Sequence, residues 1–260
     1  MISTIKNTLF YGLIAISSSC CTIKHPLNPE QDSKVTPTIK TSLEQILDGA
    51  YCLRSTGQNK QGDTYISYGS AVALSFDGTS TYLTTSTHVL NHPGDIININ
   101  YTLVTNRTDD NQANDLSIEV VLSDVASDTS IIKTKGEIPL AKGYEINEAA
   151  VTPPLLKVGD ETILVGYPYG LGKWPTRGMV SDIYQDMIVL DSTVNFGNSG
   201  GLAFVKNNSG KFYLLGQLQG CIADNEKFGC KGYAFIKPLS EVLPHWKPYL
   251  FHGTTPPHKS

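Results

Sequence analysis

A serine within a run of glycines is the feature of this sequence with the clearest chemical meaning. The run from Gly197 to Gly201 reads GNSGG and predicts a sharp turn, because glycine adopts backbone conformations that other residues avoid. Such a turn exposes the Ser199 hydroxyl and lets the amides of Gly197 and Ser199 point at one spot, as an oxyanion hole requires. The run therefore fits a nucleophile for acyl transfer, although the same residue types also form ordinary turns.

Two further residue types would activate such a serine. His88 ends a strand-like run, and a neutral imidazole can take the serine proton and return it to a leaving amine. Asp128 precedes an apolar strand, and a carboxylate there would accept from the other ring nitrogen and fix the tautomer. His92 competes with His88 for the first role. For the second role, spacing leaves four other aspartates open: Asp109, Asp110, Asp115 and Asp124.

The elements that must position these residues are β-strands. From residue 50 onward, short β-prone runs alternate with Gly, Asn, Asp and Pro, which is typical of barrels or sandwiches. We predict an all-β fold of two six-stranded antiparallel β-barrels, with helix only near 43–47 and 239–246. The twelve predicted strands are Ala50–Ser55, Thr64–Phe76, Thr81–Ser86, Asp95–Val104, Leu116–Leu122, Thr129–Thr134, Glu161–Gly166, Thr176–Tyr184, Met187–Asp191, Gly201–Val205, Phe212–Gln219 and Gly232–Lys237.

Composition excludes several other classes of protein. The 260 residues carry 20 Lys+Arg against 24 Asp+Glu, a formal charge of -4, which disfavours nucleic-acid binding. The six His and five Cys lack the spacing of a zinc site, so we expect neither a metal nor a cofactor. The run from Gly166 to Trp174 has the wrong glycine spacing for a phosphate loop.

The first 21 residues are typical of an export signal. A lysine precedes a short apolar run that ends in small residues before Cys20 and Cys21. A cysteine in this place also resembles the lipoprotein box, although the usual aliphatic residue three positions earlier is a serine here. We expect export, with either ordinary signal cleavage or a lipid anchor on one of these cysteines. Residues 22–42 then form a flexible tether.

Export exposes the chain to oxidising conditions, in which cysteines form disulfides. Cys221 and Cys230 flank a short polar loop and are the best pair, whose bridge would contribute about 2–3 kcal/mol. Cys52 is left over, and we expect it to be a small buried residue on a strand rather than a reactive thiol.

The ordered set of His88, Asp128 and GNSGG resembles the chymotrypsin-fold (trypsin-like) serine proteases. Several longer segments, from about 48 to 246, resemble the protease domain of bacterial HtrA (Deg) enzymes. The resemblance implies a protease domain over 43–247, with barrels at about 48–135 and 151–246. From the sequence itself we expect a disordered tail at 248–260. The segments are LKVGD (156–160), VGYPYGLG (165–172), TRGMVS (176–181) and GYAFIKP (232–238).

The resemblance also implies where the substrate pocket lies. Two features of the sequence differ from the family pattern. Thr193 aligns with the pocket floor, while Gln219 and Gly220 lie on a wall that would pair with a peptide, and we expect a small or medium neutral side chain there. Asn198 replaces the aspartate that pairs with a new N-terminus in digestive relatives, so we expect no propeptide cleavage to be needed. HtrA enzymes usually carry a PDZ domain, and from the 14 residues after Trp246 we expect none here.

These observations predict an exported serine endopeptidase of the periplasm or cell envelope, or a secreted one, that acts on polypeptides. Its membrane contact would be limited to the lipid anchor, and its oligomeric state stays open. A catalytically silent binding module on the same fold and an esterase on the same scaffold are the alternatives.

Overall fold

The computed structural model describes residues 41–92, 94, 96–104, 115–224 and 229–250. These residues all belong to one structural unit, which spans residues 39–260. The export signal with Cys20 and Cys21, the tether before residue 41 and residues 251–260 of the tail lie outside the described residues. Within the described ranges, no helix is long and apolar enough to cross a membrane.

The first sheet contains seven antiparallel strands in the order β5-β4-β1-β2-β3-β7-β6. Its register pairs Thr85 at the end of β3 with Ser130 near the start of β7. The residues that follow β3 and precede β7 are therefore neighbours in space. The strands are β1 (Ala50–Asn59), β2 (Thr64–Phe76), β3 (Ser80–Thr85), β4 (Ile96–Val104), β5 (Asp115–Ser117), β6 (Glu119–Asp124) and β7 (Thr129–Lys135).

The second sheet also has seven strands, in the order β12-β9-β10-β11-β14-β13-β8. Pairing of β12 with β13 closes six of them into a barrel, and the short β8 adds to β13 in parallel. The strands are β8 (Tyr144–Glu145), β9 (Glu161–Gly166), β10 (Trp174–Ile183), β11 (Ile188–Ser192), β12 (Leu202–Lys206), β13 (Phe212–Asp224) and β14 (Gly229–Pro238).

The prediction of an all-β double barrel is confirmed, and each of the twelve predicted strands has a counterpart. The segment expected as one strand from Leu116 to Leu122 is two strands, β5 and β6, with Ile118 between them. Strand β8 was not predicted, because two residues carry no readable alternation. Among the described pairings none closes the first sheet, so the two barrels differ in completeness.

Three α-helices accompany the sheets: α1 (Ser42–Asp48), α2 (Thr87–Leu90) and α3 (Leu239–Trp246). Thr41 and Glu44 form a capping box at the start of α1, in which each side chain bonds the other residue's amide. A 3₁₀ turn, Lys247–Tyr249, follows α3 where the sequence predicted the beginning of a disordered tail. The Ser75 hydroxyl donates to the Tyr249 carbonyl, which ties this part of the tail to β2.

The C-terminal helix anchors a buried polar network between the sheets. Trp246 is fully buried, and its indole donates to the Thr129 hydroxyl at 3.2 Å. The Thr129 hydroxyl donates to the Gln217 side chain at 2.9 Å, and the Gln217 amide donates to the Thr84 hydroxyl at 2.9 Å. These bonds hold the start of β7 against β13. Breaking them would leave buried polar groups without a partner, which destabilises the folded protein.

Candidate active site

His88 and Asp128 form a directly bonded pair in the first sheet. His88 lies on α2, just after β3, and Asp128 stands immediately before β7. The Asp128 Oδ2 lies 2.8 Å from His88 Nδ1, while Oδ1 accepts from the His88 backbone amide at 2.9 Å. The carboxylate thus holds both the ring and the backbone of His88, and the side chain of His88 stays about half exposed (48%). Because the bond to Asp128 uses Nδ1, the other ring nitrogen, Nε2, is available for proton transfer.

The competing residues that the structure describes have other partners. The His92 Nδ1 lies 3.3 Å from the Tyr65 hydroxyl and has no carboxylate partner within the described ranges. Asp115 pairs with Arg54, and Asp124 pairs with His245 at 3.3 Å. Asp109 and Asp110 lie outside the described residues.

Ser199 occupies the turn between β11 and β12. Its hydroxyl donates to the Gln219 carbonyl at 3.3 Å. A cavity of about 500 Å³ is lined by both Ser199 and His88. A smaller cavity of about 280 Å³ is also lined by both residues. The fold therefore brings the predicted nucleophile and base to the same two cavities.

The backbone of the Ser199 turn leaves two amides unbonded. The Phe196 carbonyl accepts from the Tyr169 amide at 2.6 Å, and the Asn198 carbonyl accepts from the Gly201 amide at 2.9 Å. In a trans peptide the N–H points opposite to the carbonyl, so the amides of Gly197 and Ser199 point away from these partners. Neither amide has an acceptor in the part of the chain that the structure describes.

Glycine is required at position 197 by this geometry. Gly197 has a φ of +93°, in the left-handed region that side chains disfavour. An added Cβ would also lie 2.5 Å from the Tyr167 carbonyl oxygen. Both observations account for the residue type at one of the two unbonded amides.

The large cavity has an aromatic lining drawn from both sheets. Its walls include the aromatic residues Tyr65, Tyr68, Tyr169 and Phe196 as well as Gly197. Tyr169 and Phe196 are each about half exposed. Apolar surface concentrated in a concave site of this size is typical of a site that binds an organic ligand.

The smaller cavity contains two of the three predicted pocket residues. Gln219 and Gly220 line it together with Val194 and Leu218. The exposed Thr193 is not among its lining residues, and its neighbour Val194 is. None of the lining residues is Asp, Glu, Lys or Arg, so the cavity offers no charge partner of those types.

The disulfide between Cys221 and Cys230 is present, with 5.7 Å between the two Cα atoms. It joins β13 to β14 beside the smaller cavity, which Cys221 lines. Cys52 is buried on β1, as the sequence predicted. No cluster of His, Cys, Asp or Glu that could hold a metal occurs among residues 41–250 where the structure describes them.

Two groups of site residues could not be predicted from the sequence pattern: Ser70 and the aromatic residues of the large cavity. Ser70 on β2 contacts the Ser199 turn from the first sheet: its amide donates to the Ser199 carbonyl at 2.8 Å. A lone serine in a β-prone run predicts only a strand position, so its contact 129 positions along the chain is invisible before folding. The aromatic lining from Tyr65 and Tyr68 was hidden for the same reason.

Comparison with known proteins agrees with this geometry. The family model of the trypsin-like peptidase domain matches residues 69–213, more than half of the chain. The chain therefore belongs to the trypsin-like peptidase family.

The relatives and solved structures are proteases by name. A probable periplasmic serine endoprotease DegP-like from Brucella suis biovar 1 (strain 1330) is 35% identical over 147 residues, which are 54% of this chain and 25% of the relative. Its counterpart from Buchnera aphidicola subsp. Baizongia pistaciae (strain Bp) is 31% identical over 186 residues, covering 67% of this chain and 35% of the relative. The chain thus spans about a quarter to a third of the length of these relatives.

The similarity to solved structures concerns the fold. The HtrA-type protease AlgW with tripeptide superimposes with a TM-score of 0.57 at 22% sequence identity, covering 82% of this chain and 64% of that one. The double barrel described above is therefore the trypsin-like, HtrA-type fold.

Proposed function

We propose that this chain is a serine endopeptidase that cleaves polypeptides through an acyl-enzyme on Ser199. His88 acts as the general base and Asp128 orients it. The observation that carries the proposal is the bonded His88–Asp128 pair beside a serine that lines the same cavities. The names of the relatives, all serine endoproteases, support the same activity.

The first half of the reaction forms the acyl-enzyme. The Ser199 side chain turns from the Gln219 carbonyl toward His88 Nε2, which takes the hydroxyl proton as Oγ attacks the scissile carbonyl carbon. The carbonyl electron pair moves onto oxygen, and the unbonded amides of Gly197 and Ser199 stabilise that oxyanion. When the C–N bond breaks, the protonated His88 donates its proton to the leaving amine.

The second half releases the acyl group to water. His88 takes a proton from water as the oxygen attacks the ester carbonyl, and it returns the proton to Ser199 Oγ when the ester bond breaks. Throughout, Asp128 stabilises the imidazolium. Since the carbonyls of Phe196 and Asn198 already have partners, we infer that the two amides are in place without propeptide cleavage.

The smaller cavity is our candidate for the side chain on the acyl side of the cleaved bond. Gln219 and Gly220 would form its wall, and the strand that carries them would pair with the peptide backbone. The absence of Asp, Glu, Lys and Arg from its lining favours a small or medium neutral residue. Thr193, which the resemblance placed at the floor, would lie outside this cavity at its rim.

We also propose that the enzyme works outside the cytoplasm, in the periplasm or envelope. The disulfide fits an oxidising compartment, and the relatives are named periplasmic. Lipidation of Cys20 or Cys21 would add a membrane anchor. Mass spectrometry of the mature N-terminus decides among lipidation, ordinary cleavage and no processing.

Labelling by a fluorophosphonate probe together with casein cleavage tests the activity. We expect the wild-type protein to be labelled once and to cleave unfolded casein, and Ser199→Ala to lose the label and about 10⁶-fold in kcat. Ser209→Ala, at an exposed serine of a surface turn, is the matched control and keeps both properties. An unlabelled, inactive wild-type protein would contradict the proposed activity and favour the catalytically silent alternative, and turnover of esters but not peptides would identify an esterase.

A further inference from the structure

One buried hydroxyl contacts both chain segments that shape the two unbonded amides. Ser70 is 1% exposed, and its Oγ donates to the Gly197 carbonyl at 2.7 Å. The same oxygen accepts from the Tyr167 amide at 2.8 Å. The hydroxyl thus uses its proton on the Ser199 turn and a lone pair on the loop that begins at Tyr167.

These two bonds restrict the direction of the Gly197 amide from the neighbouring peptide and from the neighbouring loop. On the C-terminal side of Gly197, the peptide plane is held by the bond from Ser70 Oγ and by the Asn198 amide, which donates to the Asn195 carbonyl at 3.1 Å. On the N-terminal side, the plane is fixed by the Tyr169 amide, which donates to the Phe196 carbonyl at 2.6 Å. Tyr169 lies two residues after Tyr167, so Ser70 acts on that plane through the loop.

Ser70 itself is held rigidly. Its amide donates to the Ser199 carbonyl at 2.8 Å, and its carbonyl accepts from the Thr85 hydroxyl at 2.8 Å. A side chain whose backbone is fixed on both sides has little freedom to follow a displaced partner. A glycine at +93° is flexible by nature, and its conformation therefore depends on such outside bonds.

We propose that Ser70 is a positioning residue that keeps the Gly197 amide aimed at the oxyanion of the transition state. This inference rests on the proposed function, and it concerns a residue that touches neither the substrate nor the reacting atoms. Without the hydroxyl, the Gly197 carbonyl and the Tyr167 amide both lose their partner. Each peptide at Gly197 is then held by one remaining bond, from the Tyr169 amide to the Phe196 carbonyl and from the Asn198 amide to the Asn195 carbonyl. The oxyanion would then lose part of its stabilisation while substrate binding is retained.

The test compares Ser70→Ala with a hydroxyl deletion of the same pattern away from the site. Thr81 is fully buried on β3; its hydroxyl donates to the Gly136 carbonyl at 2.8 Å and accepts from the Ile138 amide at 3.2 Å. Thr81→Val therefore removes the same two kinds of bond. Titration to completion with a fluorophosphonate gives the number of intact sites, so kcat can be stated per site.

For Ser70→Ala we expect kcat per titrated site to fall about 10- to 100-fold, less than the loss of a whole oxyanion donor. KM should change less than about 2-fold, and the affinity for a peptidyl boronic acid, a tetrahedral mimic, should fall in parallel with kcat. Thr81→Val should lower thermal stability but keep kcat per site. If Ser70→Ala does not fold, Ser70→Cys, with a weaker donor of similar shape, serves in the same comparison.

The outcomes separate this inference from the proposed function. Should Ser70→Ala match Thr81→Val in kcat per site and in boronic acid affinity, Ser70 is a packing residue and the inference is wrong. A wild-type protein that neither reacts with the probe nor cleaves casein overturns the proposed function and this inference together.

Discussion

The base and the nucleophile of the candidate site are held in place in different ways. His88 and Asp128 lie next to neighbouring strands of the first sheet, His88 after β3 and Asp128 before β7. They bond each other directly, through the ring at 2.8 Å and through the backbone at 2.9 Å. The Ser199 turn, in contrast, is held by bonds from other elements, including the Ser70 amide at 2.8 Å. The base is therefore sensitive to one partner, whereas the nucleophile depends on how the two sheets pack.

The largest difference between the two halves is expected from a change in the base half, at Asp128. In Asp128→Asn the amide oxygen would keep the bond from the His88 backbone, which places the NH₂ group against Nδ1. Nδ1 must then be unprotonated and Nε2 protonated, which is the wrong tautomer for accepting the Ser199 proton. We expect kcat to fall about 10⁴-fold with the fold intact, measured by peptide turnover at neutral pH.

A second aspartate–histidine pair supplies the control for that variant. Asp124 and His245 are 3.3 Å apart, and neither residue lines a cavity that contains Ser199. Asp124→Asn should keep kcat within about 3-fold, because a partly exposed ion pair contributes little and the amide oxygen of Asn can still accept from the Ala126 amide, as Asp124 Oδ1 does at 2.8 Å. An Asp128→Asn protein with wild-type kcat would show that the His88–Asp128 bond has no catalytic role.

In the nucleophile half, substitution of Asn198 tests whether the Ser199 turn is shielded from water. Asn198 is 2% exposed, and its Oδ1 is buried with no partner among the described residues. Asn198→Asp would bury a carboxylate without a cation, which costs about 3 kcal/mol or more unless the group takes up a proton. Urea unfolding near pH 7 measures this loss.

The stability of the same variant should also depend on pH in a predictable direction. Burial raises the pKa of an unpaired carboxyl group, so the Asn198→Asp protein should lose stability as the pH rises above about 4, where the unfolded chain ionises. Asn208→Asp, at an exposed position, should leave stability within about 0.5 kcal/mol of wild type. Equal stability of the two variants would mean that the turn is open to water.

The difference between the two halves also decides what the sequence could predict. His88 and Asp128 flank strands whose alternation is readable, and GNSGG is compatible with an exposed nucleophile as well as with an ordinary turn. The family resemblance therefore had to select the triad candidates among the residues that local pattern left open. Ser70 and the lining of the smaller cavity depend on contacts between distant strands. Val194, and not the predicted Thr193, lines the smaller cavity. Alignment to a remote family is not accurate enough to distinguish two adjacent residues in a turn.

The smallest effect we expect is on the pH dependence of stability, and it comes from His92, which unlike His88 has no bond to an aspartate among the described residues. No carboxylate partner of His92 occurs where the structure describes the chain: the Tyr65 hydroxyl lies 3.3 Å from its Nδ1, and its ring stacks on Tyr101 at 5.7 Å between centroids. Burial lowers the pKa of His92 below its usual value of 6.5. The unfolded chain therefore binds a proton more readily, and the folded protein loses stability as the pH falls below about 6.5.

Replacing the ring by one that does not titrate should remove that contribution. In His92→Phe the ring can still pack against Tyr65 and Tyr101, so we expect the drop in Tm between pH 8 and pH 5 to shrink by about 1–2 °C. Differential scanning calorimetry at several pH values measures it, and His245→Phe, which removes the histidine of the Asp124 pair, is the comparison. An unchanged drop in His92→Phe would mean that His92 is as well solvated in the folded protein as in the unfolded chain, and that the lack of a carboxylate partner has no consequence for stability.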